Sequence, residues 1–333
     1  MMNYYLMGVI GLLVSLGLIL IVMPFFIKYL KRLNLAQTVS EYALDDFKEK
    51  AKTPIMGGLL FVIIPVVVFT FVARRNLDSR ILMVILAYLS FCLVGFLDDF
   101  MIILEHSNKG LSPISKLVME TVFTVSLFFL FNDDFHECIN IPFTNGGLTL
   151  ITPVFVIFMV IMFLGEANAV NFTDGMDGLC AGISSITCIG FIILCIVSKE
   201  YILAILLMCV LGGLLGYLFF NWHPAKIFMG DSGSLALGGL FASVALLLQN
   251  EIALLLLGGV FVLEMACVVI QQVSVRVFHK RVFKYTPIHY AFVLKGYKET
   301  TVVIGFLIVG VILTSIGVFI GLHWCISLLI LTI

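Results

Sequence analysis

Ten apolar runs, each close to the length that crosses a hydrocarbon layer about 30 Å thick, follow one another along the chain. They extend from Tyr4 to Ile27, Ile55 to Val72, Ile81 to Leu97, Leu117 to Phe131 and Leu148 to Leu164. The second five extend from Leu179 to Val197, Tyr201 to Phe220, Ser234 to Leu248, Ile252 to Val273 and Val302 to Leu322. No water is available inside a bilayer to satisfy exposed backbone groups, so such runs must be helices. A chain that is 62% hydrophobic and 12% charged cannot be an ordinary soluble domain. The expectation is an all-α polytopic membrane protein of about ten transmembrane helices, with residues 1–333 forming a single integral membrane domain and no internal repeat. The first run has no basic start and no small-residue cleavage site, and reads as a retained helix rather than a signal peptide.

Ten crossings place alternate loops on opposite sides. One set of loops (28–53, 98–116, 165–178, 221–233 and 274–301) carries 15 of the 19 Lys and Arg. The positive-inside rule makes that side cytoplasmic and puts both termini on the outer face. Arg74, Arg75 and Arg80 fall on the other side and run against the rule. Between Asn132 and Leu150, Asn145-Gly146 separates two β-prone pieces, which predicts a small external β-hairpin near 138–150. Six of the eight Cys lie within apolar runs and no C-x-x-C pair occurs, so they read as small buried hydrophobes.

Every polar island falls on the basic side. Asn168-Ala-Val-Asn-Phe-Thr-Asp-Gly-Met-Asp-Gly178 sets Asn168, Asn171, Asp174 and Asp177 between two apolar runs, where polar groups are costly unless they bind something. Three-residue spacing puts Asp174 and Asp177 on one face if the segment is helical. Asp98-Asp99 ends the third run, and neighbours on a helix diverge by about 100°, which suits different tasks for the two carboxylates. Asp231 lies in Gly230-Asp-Ser-Gly233 just before an apolar helix, where backbone N–H groups can face an anion. His223 reads as structural, and Glu120 and Glu264 as buried carboxylates with polar partners in helix packing. The segment from Arg276 to Lys298 is a basic anchor for anionic head groups. Five Asp with several Asn, few His and no Cys on one membrane face point to a hard divalent cation, Mg²⁺, and to phosphate chemistry. A proton-coupled transporter using Glu120 and Glu264 would instead collect its polar groups near the midplane of a repeated fold.

Lys52-Thr-Pro-Ile-Met-Gly-Gly58, Gly95-Phe-Leu-Asp-Asp99, Asn168–Gly178, Asn221–Gly239, and Pro287-Ile-His289 with Leu294-Lys-Gly296 occur in this order. In these stretches the chain resembles the phospho-N-acetylmuramoyl-pentapeptide transferases (translocase I), a family within the polyprenyl-phosphate N-acetylhexosamine-1-phosphate transferases. The resemblance implies a ten-helix homodimer in the bacterial cytoplasmic membrane, with its site facing the cytoplasm and no nucleic-acid partner. It implies attack by undecaprenyl phosphate on UDP-MurNAc-pentapeptide, yielding lipid I and UMP with Mg²⁺ as cofactor. It gives Asp98 the role of activating or orienting the lipid phosphate, Asp231 that of metal ligand with Asp99 near the metal, and Asn221 and His289 that of holding phosphates. Asp174, Asp177, Phe228 and Gln271 would face the nucleoside, and Lys48, Lys52 and Lys116 would neutralise phosphates. Asn168 and Asn171 complete the substrate-binding set. The family typically has three consecutive His after Pro-Ile, whereas this chain has His289-Tyr290-Ala291. A sibling activity, transfer of GlcNAc-1-phosphate from UDP-GlcNAc to the same lipid, shares the Asp motifs and stays open at this point.

Overall fold

Each of the ten apolar runs is helical over most of its length. The computed structural model describes residues 2–33, 53–74, 77–104, 110–132, 135, 137–144 and 146–331, so Lys48 and Lys52 lie outside the described residues. Its helices are α1 (Met2–Arg32), α2 (Gly58–Ala73), α3 (Ser79–Leu104), α4 (Pro113–Leu130), α5 (Thr152–Thr173), α6 (Leu179–Val197) and α7 (Tyr201–Asn221). They continue as α8 (Asp231–Leu247), α9 (Glu251–Leu257), α10 (Gly259–Phe278), α11 (Ile288–Val293) and α12 (Glu299–Leu331). Among the described residues eight helices are long and apolar enough to span a membrane, and α2 and α8 are shorter apolar helices.

Burial sorts these helices into layers. Every residue of α8 from Ser232 to Leu246 is buried, and α6 and α7 are mostly enclosed. A helix that is apolar all round belongs inside a bundle, and α8 packs against α3 and α5 there. The outer helices α1, α4 and α12 leave Phe25, Ile114, Phe129 and Phe319 exposed, as lipid-facing surfaces do.

Two details differ from the sequence expectation. The ninth run is interrupted at Gly258, so α9 and α10 are separate helices. The carbonyl of Leu257 beside the break accepts the hydroxyls of Thr187 and Thr314, both at 2.9 Å, which is how interrupted backbone is tolerated at membrane depth. The fifth run extends through Thr173, which makes Asn168 and Asn171 helical residues rather than loop residues.

The hairpin forms where it was expected. β1 (Cys138–Asn140) pairs antiparallel with β2 (Gly147–Thr149), with Ile139 opposite Leu148. Asn140 Nδ2 donates to the main-chain carbonyl and the side-chain oxygen of Gln249, both at 3.1 Å, tying the hairpin to the α8–α9 link. Arg80 is held at the same end: its guanidinium donates to both carboxylate oxygens of Glu200 at 3.0 and 3.3 Å. One of the three basic residues that break the charge asymmetry is therefore neutralised in place.

Candidate functional site

The polar islands converge at the opposite end of the bundle. At 1.5 Å per residue, Asp98 stands roughly 29 Å along α3 from Ser79, at the far edge of a hydrocarbon layer. There α3 meets the first residues of α8. A Cβ on Gly95 would overlap the backbone of Asp231 and Ser232, so only glycine permits this approach. Gly230, at φ +75°, makes the turn into α8, and a Cβ there would meet the Asp99 carboxylate.

The two adjacent aspartates take different partners, as their divergence on the helix predicts. Asp99 Oδ1 accepts the N–H of Asp231 and Oδ2 that of Ser232, each at 3.0 Å. The amides at the start of α8 do face an anion, and that anion is a carboxylate of the protein itself. Asp98 Oδ1 accepts the N–H of Leu111 at 2.8 Å, and its Oδ2 lies 3.2 Å from Lys116 Nζ. Lys116 also donates to Asp231 Oδ2 at 2.7 Å, while Asn171 Nδ2 donates to Asp231 Oδ1 at 2.7 Å and to Ser234 Oγ at 2.9 Å. Carboxylate oxygens of Asp98, Asp99 and Asp231 lie within 4.8 Å of one another. An all-oxygen donor set of this size suits a hard divalent cation.

Behind this cluster, Asn168 Nδ2 donates to Glu120 Oε2 at 3.0 Å and to the carbonyl of Leu164 at 2.8 Å. Asn168 thus points to a carboxylate one helical turn beyond Lys116, and Glu120 has the polar partner expected of it.

A second group borders the first. Asp174 ends α5, and residues 174–178 form a turn rather than the helical segment that would have put Asp174 and Asp177 on one face. Burial, with the nearby charges of Asp231 and Asp177, pushes the Asp174 carboxyl up to about 7. Asp177 turns the other way: its Oδ2 is 2.9 Å from His223 Nδ1 and accepts the N–H of Ala225 at 3.1 Å. Glu299, the first residue of α12, accepts the N–H of Asp177 at 2.9 Å and lies 3.7 Å from His223. Asn221 pins the same turn, accepting the N–H of Gly178 at 3.0 Å and donating to the carbonyl of Ile227 at 3.0 Å.

The α10–α11 segment closes one side. His289 and Glu264 are fully buried, with Nδ1 and Oε1 3.1 Å apart, and Glu264 Oε2 accepts the N–H of Ile288 at 2.7 Å. A Cβ on Gly175 would run into His289 Nε2, so the imidazole edge abuts the 174–178 turn. Tyr290, where the family has its second His, donates its hydroxyl to the carbonyl of Gly175 at 2.8 Å. Burial raises the Tyr290 phenol, keeping it a donor across ordinary pH. Phe228 joins the site through backbone: its N–H donates to the carbonyl of Pro54 and its carbonyl accepts the N–H of Gly57, both at 2.9 Å. Gln271, seven residues beyond Glu264 on α10, accepts the N–H groups of Val282 and Phe283 on its Oε1 at 3.0 and 2.9 Å.

Sequence reasoning did not include Ser234, Glu264 and Glu299 among the site residues. Glu264 had a usable signal, a carboxylate inside an apolar run. Glu299 had none, being one acid in a polar connection.

Comparison with known proteins adds an independent finding. The model of Glycosyl transferase family 4 matches residues 81–249. Over 318 residues, covering 93% of this chain and 98% of the relative, the sequence is 38% identical to a phospho-N-acetylmuramoyl-pentapeptide-transferase of Bacillus anthracis (strain A0248). The same identity and coverage hold for the enzymes of that name from Bacillus mycoides (strain KBAB4) and Bacillus cereus (strain AH187).

Proposed function

The chain belongs to the phospho-N-acetylmuramoyl-pentapeptide-transferase family, and we propose that it moves phospho-MurNAc-pentapeptide from UDP-MurNAc-pentapeptide to undecaprenyl phosphate. An oxygen of the lipid phosphate forms a bond to the sugar-linked phosphorus. The bond from that phosphorus to the UMP oxygen breaks, leaving lipid I and free UMP. The observation that carries this reading is the meeting of Asp98, Asp231 and Lys116 where the ends of α3, α4 and α8 converge. Acceptors for a cation and a donor for phosphate stand there within one contact distance.

The residues divide as follows. Asp98, on the Lys116 side, orients or deprotonates the incoming lipid phosphate. Asp231 is the metal ligand, with Asn171 fixing its other oxygen. Asp99 stands next to the metal and holds Asp231 in register through the α8 amides. His289, braced by Glu264, and Asn221 meet the phosphates, and Asp174, Asp177, Phe228 and Gln271 border the nucleoside. Lys48 and Lys52, outside the described residues, are assigned to neutralising phosphates on the family resemblance alone. Mg²⁺, held by this oxygen set, would supply charge neutralisation on the pyrophosphate and on the departing UMP.

The charge asymmetry of the loops supports a site facing the cytoplasm from a bacterial inner membrane, with both termini outside. A homodimer is part of the same proposal on the family resemblance alone, and cross-linking in native membranes tests it. The deciding experiment for the activity supplies membranes with undecaprenyl phosphate and, separately, radiolabelled UDP-MurNAc-pentapeptide and UDP-GlcNAc, with and without Mg²⁺. Label is expected in lipid from the first donor only and only with the metal. Label from UDP-GlcNAc alone would assign the sibling reaction.

A further inference from the structure

Lys116 stands where a metal would compete with it. Its ammonium lies 2.7 Å from Asp231 Oδ2 and 3.2 Å from Asp98 Oδ2. Both Asp99 oxygens are already engaged by backbone amides, so the acceptors left in the cluster are those that face this ammonium. The lysine side chain is 24% exposed, open enough to leave the pair without unfolding α4. One turn along the same helix, Glu120 is fully buried, and its Oε1 has no hydrogen-bond partner among the described residues. Residues four apart on a helix are neighbours, so Lys116 is flanked by a carboxylate on its own helix as well as by those it now bridges.

We propose that Lys116 is a built-in counter-cation for the Asp98–Asp231 pair, competing with the divalent ion for Asp231 and surrendering it when the ion enters. This rests on the reading of Asp231 as the metal ligand. Two carboxylates this close repel strongly unless a cation lies between them, and the lysine supplies one while the ion is absent. An ammonium and a divalent cation cannot share one carboxylate oxygen at close range without repelling each other. With an ion on Asp231, the Lys116 ammonium would leave that carboxylate and be free to face the substrate phosphates. Glu120, at its back, keeps a carboxylate beside it in both arrangements. The lysine is a positioning residue for the metal step before it meets any substrate.

The test is Mn²⁺ binding to the detergent-solubilised full chain, read from the electron paramagnetic resonance signal of free Mn²⁺. Wild type, Lys116→Met, Lys116→Arg and Asp231→Asn are compared without substrate. Lys116→Met should bind Mn²⁺ on the order of tenfold more tightly, because one charge-assisted competitor is gone. Lys116→Arg should stay near wild type, and Asp231→Asn should lose binding. Unchanged or weaker binding in Lys116→Met, with Asp231→Asn still deficient, overturns the inference and leaves the metal assignment standing. Full binding in Asp231→Asn overturns that assignment and the inference with it. Should Lys116→Met not stay folded, site-resolved amine labelling of wild-type Lys116 serves. Labelling should rise when Mn²⁺ saturates the protein, and no rise overturns the inference.

Discussion

Asp99 on α3 holds the backbone N–H of Asp231 at the start of α8, and with its second oxygen the next amide, both at 3.0 Å. Two residues far apart in the chain are thereby fixed as one unit. The residue beside the proposed nucleophile-activating acid sets the position of the proposed metal ligand.

Asp99→Asn should therefore weaken the fold as well as the chemistry. An amide keeps one acceptor oxygen and turns an NH₂ toward a backbone N–H. The expected loss is about 2 kcal/mol of stability, typical of a buried hydrogen bond to a charged group. Thermal unfolding in detergent measures it, and Mn²⁺ affinity should fall in parallel.

Asp174 predicts a pH dependence with a definite sign. Its folded carboxyl is raised to about 7 from an ordinary value of 3.8. The folded state holds that proton more tightly than the unfolded chain does, so stability falls as pH rises from about 4 to 7 and is level above. Asp174→Asn should remove this part of the slope. Unfolding midpoints of wild type and variant across pH 5 to 8 would show it, and identical slopes would rule it out.

Tyr290→Phe deletes one hydrogen bond to the 174–178 turn. The expected effect is about 1 kcal/mol, a roughly fivefold rise in KM for the sugar nucleotide with little change in kcat. Tyr290→His should be tolerated, since the family has His there. Complete loss of activity in that variant would show a loop rebuilt around tyrosine.

Glu264→Ala leaves His289 buried without its carboxylate and the Ile288 amide without its acceptor. Leaving the Ile288 amide without its acceptor costs about 1–3 kcal/mol. Glu264→Gln keeps an acceptor for Ile288 and should lose less. Unfolding of the two variants side by side checks the order.

The helical nature of the apolar runs and the shared end of the polar islands were legible in the sequence because hydrocarbon thickness and backbone satisfaction leave few alternatives. The separate hydrogen-bond partners of Asp98 and Asp99 are what helix geometry alone predicts. The break at Gly258 did not, because its cause lies in Thr187 and Thr314 on other helices. Asp177 was also beyond local reasoning: spacing placed it beside Asp174, whereas His223 and Ala225, more than forty residues on, turn it away. Asn168 shows the same limit, its partner Glu120 being 48 residues distant.

Gly95 carries no functional group, yet the contact between α3 and α8 leaves it no room for one. Adding a single methyl there would push apart the two helices that carry Asp98 and Asp231. In a saturation scan this position should tolerate replacement as poorly as the acids themselves. Its alanine variant should fail even though every charged side chain of the site is still present.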